Sequence, residues 1–479
     1  MSQNQGTLKR NLGLWAIVGL GLGYMTPTVV FDTFAIVSED THGAVPSAYI
    51  VALVVMAFTA VSYGKMVGVF PQAGSAYTYT RESMHPNVGF LVGWVALLDY
   101  LMLPLVNVLI LRLYLESVWP EIPGWVTVVL LTIVITGTVA LTMRGTSNFN
   151  SLLLLFALVV MVVFCVFAVN LLLEGHGNGT VLSSTPFVGE PIENGLEAFE
   201  PLVLVGGATV VCFSFIGFDA ITMYAEEAKN PKIMPRAILL TVMLGGLIFL
   251  IAGYLTQQLF PTNEYIIDEL MNNHGESLEK AESDLEDPLP AIGKIVGGPV
   301  FQFIFVSAGF AATMASGLAS HASVSRMLLV MGRNNLLPGK IFGRINPKTS
   351  TPVYSVVIVG IVALLAIWLD LDTVASIINF GALIAFTFVN LSVIAWFAIR
   401  QGRRHTPGDI FKYIVMPGIG TLLTTLLWSQ LDQVSLLTGS IWLVVGVLIL
   451  ALVTRGFRKQ PANFDEAQPV TGFTKLPDA

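Results

Sequence analysis

The chain has 479 residues, 54% of them apolar and only 11% charged, with a mean hydropathy of +0.75. A water-soluble domain carries about 25% charged residues, so composition alone excludes a soluble enzyme or soluble binding module of this size. The net charge of −7 also removes the basic surplus that nucleic-acid binding would need.

Apolar runs of the roughly 20 residues needed to cross a bilayer recur from end to end. In chain order, spanning helices are expected at 12–37, 46–70, 89–115, 124–143, 151–173, 201–225, 237–260, 296–325, 353–369, 373–399, 413–431 and 435–454. The polar stretch 1–11 has no apolar core of a cleavable signal, so the first span is expected to direct its own insertion. Cys165 and Cys212 both fall inside apolar runs and give neither a disulfide framework nor metal-ligand spacing.

Orientation follows from the basic residues. With the N-terminus inside, 21 of the 24 Lys and Arg fall on the inner side, leaving Lys280 and Lys294 outside and Arg112 within a span. Both tails, 1–11 and 455–479, are then cytoplasmic. The acids do the reverse. By this topology 21 of 31 lie outside, concentrated in the loops 174–200 and about 261–295. A negative outer face raises the local concentration of cations. The plainer reading is that outer loops simply lack basic residues.

The twelve spans group as five (12–173), five (201–399) and two accessory helices (413–454). Because five is odd, the second group enters the membrane from the opposite side, the arithmetic of an inverted repeat. Such a fold places a broken helix near the midplane in each half. In the first span, Gly19, Gly21 and Gly23 precede Tyr24-Met25-Thr26-Pro27, where proline removes a donor and disfavours helix at Thr26. In the sixth, Phe213-Ser214-Phe215-Ile216-Gly217-Phe218-Asp219 has its weak point at Gly217. The expected fold is an all-α polytopic membrane protein with helices 1 and 6 broken.

Several stretches resemble the amino acid–polyamine–organocation transporter superfamily. They are Phe70-Pro71-Gln72-Ala73-Gly74-Ser75-Ala76-Tyr77, Phe215-Ile216-Gly217-Phe218-Asp219-Ala220 with Ala225-Glu226-Glu227-Ala228-Lys229-Asn230-Pro231, and Ser325-Arg326-Met327 through Gly332-Arg333-Asn334. Thr26-Pro27-Thr28-Val29-Val30-Phe31-Asp32, Leu98-Asp99-Tyr100-Leu101, Ala319-Ser320-His321-Ala322 and Ile378-Asn379-Phe380-Gly381 look like the bacterial putrescine importers of that superfamily. The resemblance implies a plasma-membrane symporter, driven by the proton gradient, that imports putrescine. Amino-acid members usually carry Gly-x-Gly at the first break, leaving open amides for the substrate carboxylate. Met25-Thr26-Pro27 is bulkier and one amide short, which suits a diamine. Gly21 and Gly23 lie just upstream and could serve instead.

Three carboxylates lie within spans: Asp32, Asp99 and Asp219. A charge near the bilayer centre costs about 2.5–3.5 kcal/mol on insertion scales, so each is a functional candidate. Asp219 follows the second break, where related exchangers carry an acid tied to proton and substrate handling. A helix cap would explain the same residue. Asp99, beside Tyr100 in the third span, is a candidate for cation or proton binding, or else a buried lock between helices. Asp32, beyond the first break, could meet an incoming cation or serve as a hydrogen-bond partner for the sixth span. A diamine also needs apolar or aromatic surface between its ammonium ends. Tyr24, Phe31, Phe213, Phe215 and Phe218 are near the breaks, and the resemblance makes Phe213 an aromatic gate.

The expected substrate site is therefore Tyr24, Thr26, Phe31, Asp32, Asp99, Tyr100, Phe213, Ser214, Phe218 and Asp219, with Asp219 and Asp99 handling the coupling proton. Desolvation favours the neutral acid and a nearby ammonium the charged one, which links the two occupants. Sodium is an alternative through Ser316, Ser320 and Ser323. No cofactor, metal, catalytic nucleophile or nucleic-acid partner is expected. The rivals are an importer or exchanger of cationic or small neutral amino acids, and a polyamine-binding membrane sensor.

Overall fold

The computed structural model describes residues 12–71, 75–141, 147–189, 201–225, 228–333, 337–346, 349, 351–456 and 458. The expected tails beyond these limits, residues 190–200 of the first acidic loop, and Gln72, Ala73, Gly74, Glu226, Glu227 and Asn334 of the motifs above lie outside the described residues. Within them the chain is helical, and the only extended pairing is one isolated bridge between Leu12 and Ala228.

Among the described residues, eleven helices are long and apolar enough to cross a membrane. With a shorter apolar one they are α1 (Leu14–Asp32), α2 (Val45–Val69), α3 (Pro86–Val118), α4 (Gly124–Leu141), α5 (Leu152–Leu173), α6 (Val203–Tyr224), α7 (Pro231–Leu259), α8 (Leu289–Leu329), α9 (Val353–Ile367), α10 (Leu371–Arg400), α11 (Pro407–Trp428) and α12 (Gln433–Val453). Each of the twelve expected segments overlaps one of these. The short one is α9, whose last turn, Leu364–Ile367, tightens to a 3-10 helix. At the usual rises it is about 25 Å long, short of the roughly 30 Å hydrocarbon core. Helix α8 starts earlier than expected because residues 289–296 form a separate piece. Gly297 and Gly298, the latter at φ +69, break it from the helix that resumes at Pro299.

Lipid offers no hydrophobic drive for helices to associate, so close approach and internal hydrogen bonds must hold the bundle. Helix α3 is its axis: the whole of its most apolar window is buried, against 17% for α12. Gly381 lets α10 lie directly on α3, since a Cβ there would stand 2.9 Å from the Val95 carbonyl oxygen and 3.1 Å from Asp99 Cβ. On the other side, the Trp94 and Trp442 rings stack at 4.7 Å, and each indole donates to the other's carbonyl at 2.8 Å. A Cβ on Gly446 would meet Trp94 at 2.3 Å.

The bundle has two ends. One, the loop end, carries residues 174–189 and the helical insertion Asn263–His274 and Leu278–Ser283. There Glu276 is bound by Lys294 and Asp284 by Lys280. At the opposite end, Lys229 N donates to the Leu12 carbonyl and Arg400 to the carbonyls of Glu82 and Met84.

Candidate functional site

Both expected breaks are present, and they touch. The first helical piece of α1 ends at Tyr24, Thr26 takes the left-handed φ of +46, and helix resumes at Val29. In α6 the regular helix ends at Phe215, Gly217 sits at φ +114, and a 3-10 turn runs over Ala220–Tyr224. A Cβ on Gly217 would stand 2.8 Å from Tyr24 Cβ, so the second break lies against the first. A Cβ on Gly21 would meet Ile221 at 2.4 Å, so α1 packs on the 3-10 turn as well. Unwound backbone at this depth is tolerated where protein or a cavity surrounds it, and here protein does.

The breaks deliver Asp219 to α3. Its Oδ2 accepts a 2.8 Å hydrogen bond from Tyr100 Oη. Asp219 stands at the N-cap position of the 3-10 turn without making a capping bond with its side chain. Asp99, on the same helix as Tyr100, lies within electrostatic range of Asp219 and leaves its Oδ1 unpartnered. Both carboxyls are buried, at 3% and 5% exposure.

A ring cluster flanks them. The Tyr63 ring meets Tyr79, Phe218 and Phe386 edge-on at 5.5–5.9 Å, and Tyr63 Oη lies within electrostatic range of both acids. Phe218 was expected at the site; Tyr63, Tyr79 and Phe386 were not. Tyr79 lies two residues past the Phe70–Tyr77 motif that follows α2. Tyr63 and Phe386 sit in apolar helical runs with nothing to separate them from core packing.

The remaining candidates are placed elsewhere around the breaks. Tyr24 Oη bonds Ser323 Oγ at 2.5 Å and the Ala319 carbonyl at 3.1 Å, tying α1 to α8. Thr26 and Phe213 are buried at the breaks, each 7% exposed. Ser214 Oγ pairs with Tyr49 Oη at 3.2 Å. Phe31 packs its ring on Phe164 at 4.7 Å and on Phe305 at 4.9 Å. Asp32 accepts from Tyr114 Oη at 2.7 Å and has no bond to α6. His321 is a packed core histidine whose Nε2 lies 3.0 Å from the Val356 carbonyl. The serines considered for sodium are engaged: Ser316 donates to the Tyr24 carbonyl, Ser320 to that of Gly317, and Ser323 pairs with Tyr24.

A narrow cleft runs up to the first break between α1, α5, α6 and α8, lined by Gly19, Gly23, Tyr24, Pro27, Leu154, Tyr224, Ala315, Ser316 and Ala319.

Charge completes the picture. Among the described residues the buried ionised-type side chains other than His321 are Asp32, Asp99, Asp219 and Asp287, and no Lys or Arg is buried. Buried carboxylates without a buried base need a cation or a proton to offset the cost of desolvation. The arrangement is a cation-accepting interior at two touching helix breaks, and it carries no catalytic nucleophile–base pair.

The sequence profile of the amino acid permease family matches residues 16–405. The chain belongs to that family. Among its relatives, the low-affinity putrescine importer PlaP of Escherichia coli (strain K12) is 40% identical over 460 residues, spanning 96% of this chain and 97% of that protein. The branched-chain amino acid permease BcaP of Bacillus subtilis (strain 168) is 23% identical over 488 residues and 96% of each chain. The methylthioribose transporter of the same organism is 25% identical over 474 residues and 94% of each. This amino acid permease is accordingly a multi-pass membrane transporter and not an enzyme.

Proposed function

We propose that this permease imports putrescine, or a closely related diamine, across the bacterial plasma membrane by symport with protons, with both termini cytoplasmic and the loop end outside. The observation that carries the reading is the Asp99–Asp219 pair, buried beside Tyr100 and the Tyr63–Phe218 rings, with no buried Lys or Arg among the described residues to neutralise it. A diamine offers ammonium groups to the acids and a hydrocarbon middle to the rings. An amino acid would bring its own carboxylate toward the pair, and Met25-Thr26-Pro27 leaves it one amide fewer to bind. The 40% identity to a putrescine importer supports the same substrate.

Coupling follows from the chemistry of the pair. Two carboxylates in a dry site cannot both stay ionised unless a cation lies between them, so proton and ammonium occupancy are linked. The cleft at the first break, between α1, α5, α6 and α8, serves as the exit.

Labelled putrescine should accumulate in proteoliposomes holding the purified protein under an imposed inward proton gradient, and the gradient of substrate should collapse with an uncoupler. Accumulation of an amino acid with no putrescine uptake would overturn the substrate assignment. Tyr100→Phe removes the hydroxyl that donates to the Asp219 carboxyl. Hydrogen bonds to charged groups are worth about 1.5–3 kcal/mol, so the putrescine concentration for half-maximal uptake should rise about tenfold or more. Unchanged uptake kinetics would take Tyr100 out of the site.

A further inference from the structure

A second pair of buried acids lies at the loop end, away from the Asp99–Asp219 site. Asp32 closes the second piece of α1, and Asp287 lies in the loop between the helical insertion and α8. They are 0% and 5% exposed. One oxygen of each is committed: Asp32 Oδ1 accepts from Tyr114 Oη at 2.7 Å, and Asp287 Oδ1 from the Leu289 amide at 3.2 Å. The other oxygen of each, both named Oδ2, is buried without a donor. The two side chains face each other at hydrogen-bonding range. Two carboxylate oxygens are acceptors only, so a contact between them needs a proton on one.

We propose that Asp32 and Asp287 form a proton-binding site of their own, holding one shared proton that latches the loop before α8 onto the second piece of α1 and keeps the loop end closed. Among the described residues the surroundings supply no competing cation. The other ionisable groups in range are Tyr114 of α3, Tyr49 of α2 and Asp284 of the loop. Lys294, on the piece 289–296, is taken by Glu276. The facing residues of α5 and α8, Phe164 and Phe305, bring rings only, stacked at 5.5 Å with Phe31 against both. Burial and the facing Asp32 carboxyl push Asp287 well above the usual carboxylate range. Loss of the proton puts two like charges against each other in a dry site and drives the loop off α1.

The site rests on the proton-coupled reading only for its place in the cycle; its existence can be tested without substrate. Infrared difference spectra of the purified full-length protein at neutral pH read the carboxylic-acid carbonyl band directly. Asp32→Asn and Asp287→Asn should each lose one such band relative to wild type, and the double variant should lose no more than either single one. Loss of no band, or of two in the double variant, overturns the shared proton. Should an amide variant fail to fold, the wild-type band is sought in the Asp99→Asn, Asp219→Asn background, where it must persist; its disappearance there overturns the assignment. Failure of putrescine uptake with the band in place would refute the transport reading and leave this site standing.

Discussion

Asp219→Asn is expected to abolish concentrative uptake of putrescine, with a loss of more than about 100-fold, while insertion and folding stay intact. The amide keeps the shape of the side chain and can still meet Tyr100 Oη, which lies 2.8 Å from the native carboxylate. What it removes is the charge. Leaving an ammonium in a dry site without its buried counter-ion costs about 3–5 kcal/mol, which is roughly 150-fold to several thousand-fold in affinity. The proton is lost with it, because an amide does not titrate. The decisive comparison is between uptake and counterflow in proteoliposomes, beside the elution profile of the variant on size exclusion. Wild-type uptake would remove Asp219 from the mechanism and leave it a structural role at the 3-10 turn. Asp99→Asn is the sharper control for sharing, since the pair lies within electrostatic range and one carboxylate could still hold the ammonium.

Much of the fold was legible because bilayer physics writes it into the chain in long blocks. Twenty apolar residues in a row admit few readings, and each of the twelve expected segments overlaps an observed helix. The two breaks were legible for a local reason: Pro27 and Gly217 forbid or relax regular helix where they stand. What could not be read was partnership across the bundle. Asp219 was visible as an intramembrane acid, yet its contact with Tyr100 depends on how α6 lies against α3, 119 residues away in sequence. Asp287 looked like one more acid in a charged loop. Only the fold shows it buried against Asp32, because the kink at Gly297 and Gly298 folds the piece 289–296 back over the aromatic cluster. Phe31 went the other way: its position next to the first break suggested the site, but its ring packs with Phe164 and Phe305. Aromatic residues carry no label that separates packing from recognition.

The contact between the two breaks makes the second strong prediction. Gly217→Ala should cut transport at least tenfold and lower thermal stability, although it adds a single methyl group. At φ +114 any side chain is strained, at about 1–3 kcal/mol. The added Cβ would also sit 2.8 Å from Tyr24 Cβ and 3.3 Å from its carbonyl carbon. Tyr24 cannot retreat freely, because its hydroxyl is tied to Ser323 and Ala319 on α8. The clash therefore passes to α8 or pushes the breaks apart, and overpacking of this kind adds about 1–3 kcal/mol. Gly206→Ala on the same helix is the control, since a Cβ there meets nothing within 4 Å. It should behave as wild type in both the melting curve and the uptake assay. Equal transport by the two variants would show that the breaks need not touch for the cycle to run. Selective loss at Gly217 would mean that the two broken helices move, or stay put, as one unit, and that the cation site between α6 and α3 depends on α1 being seated against it.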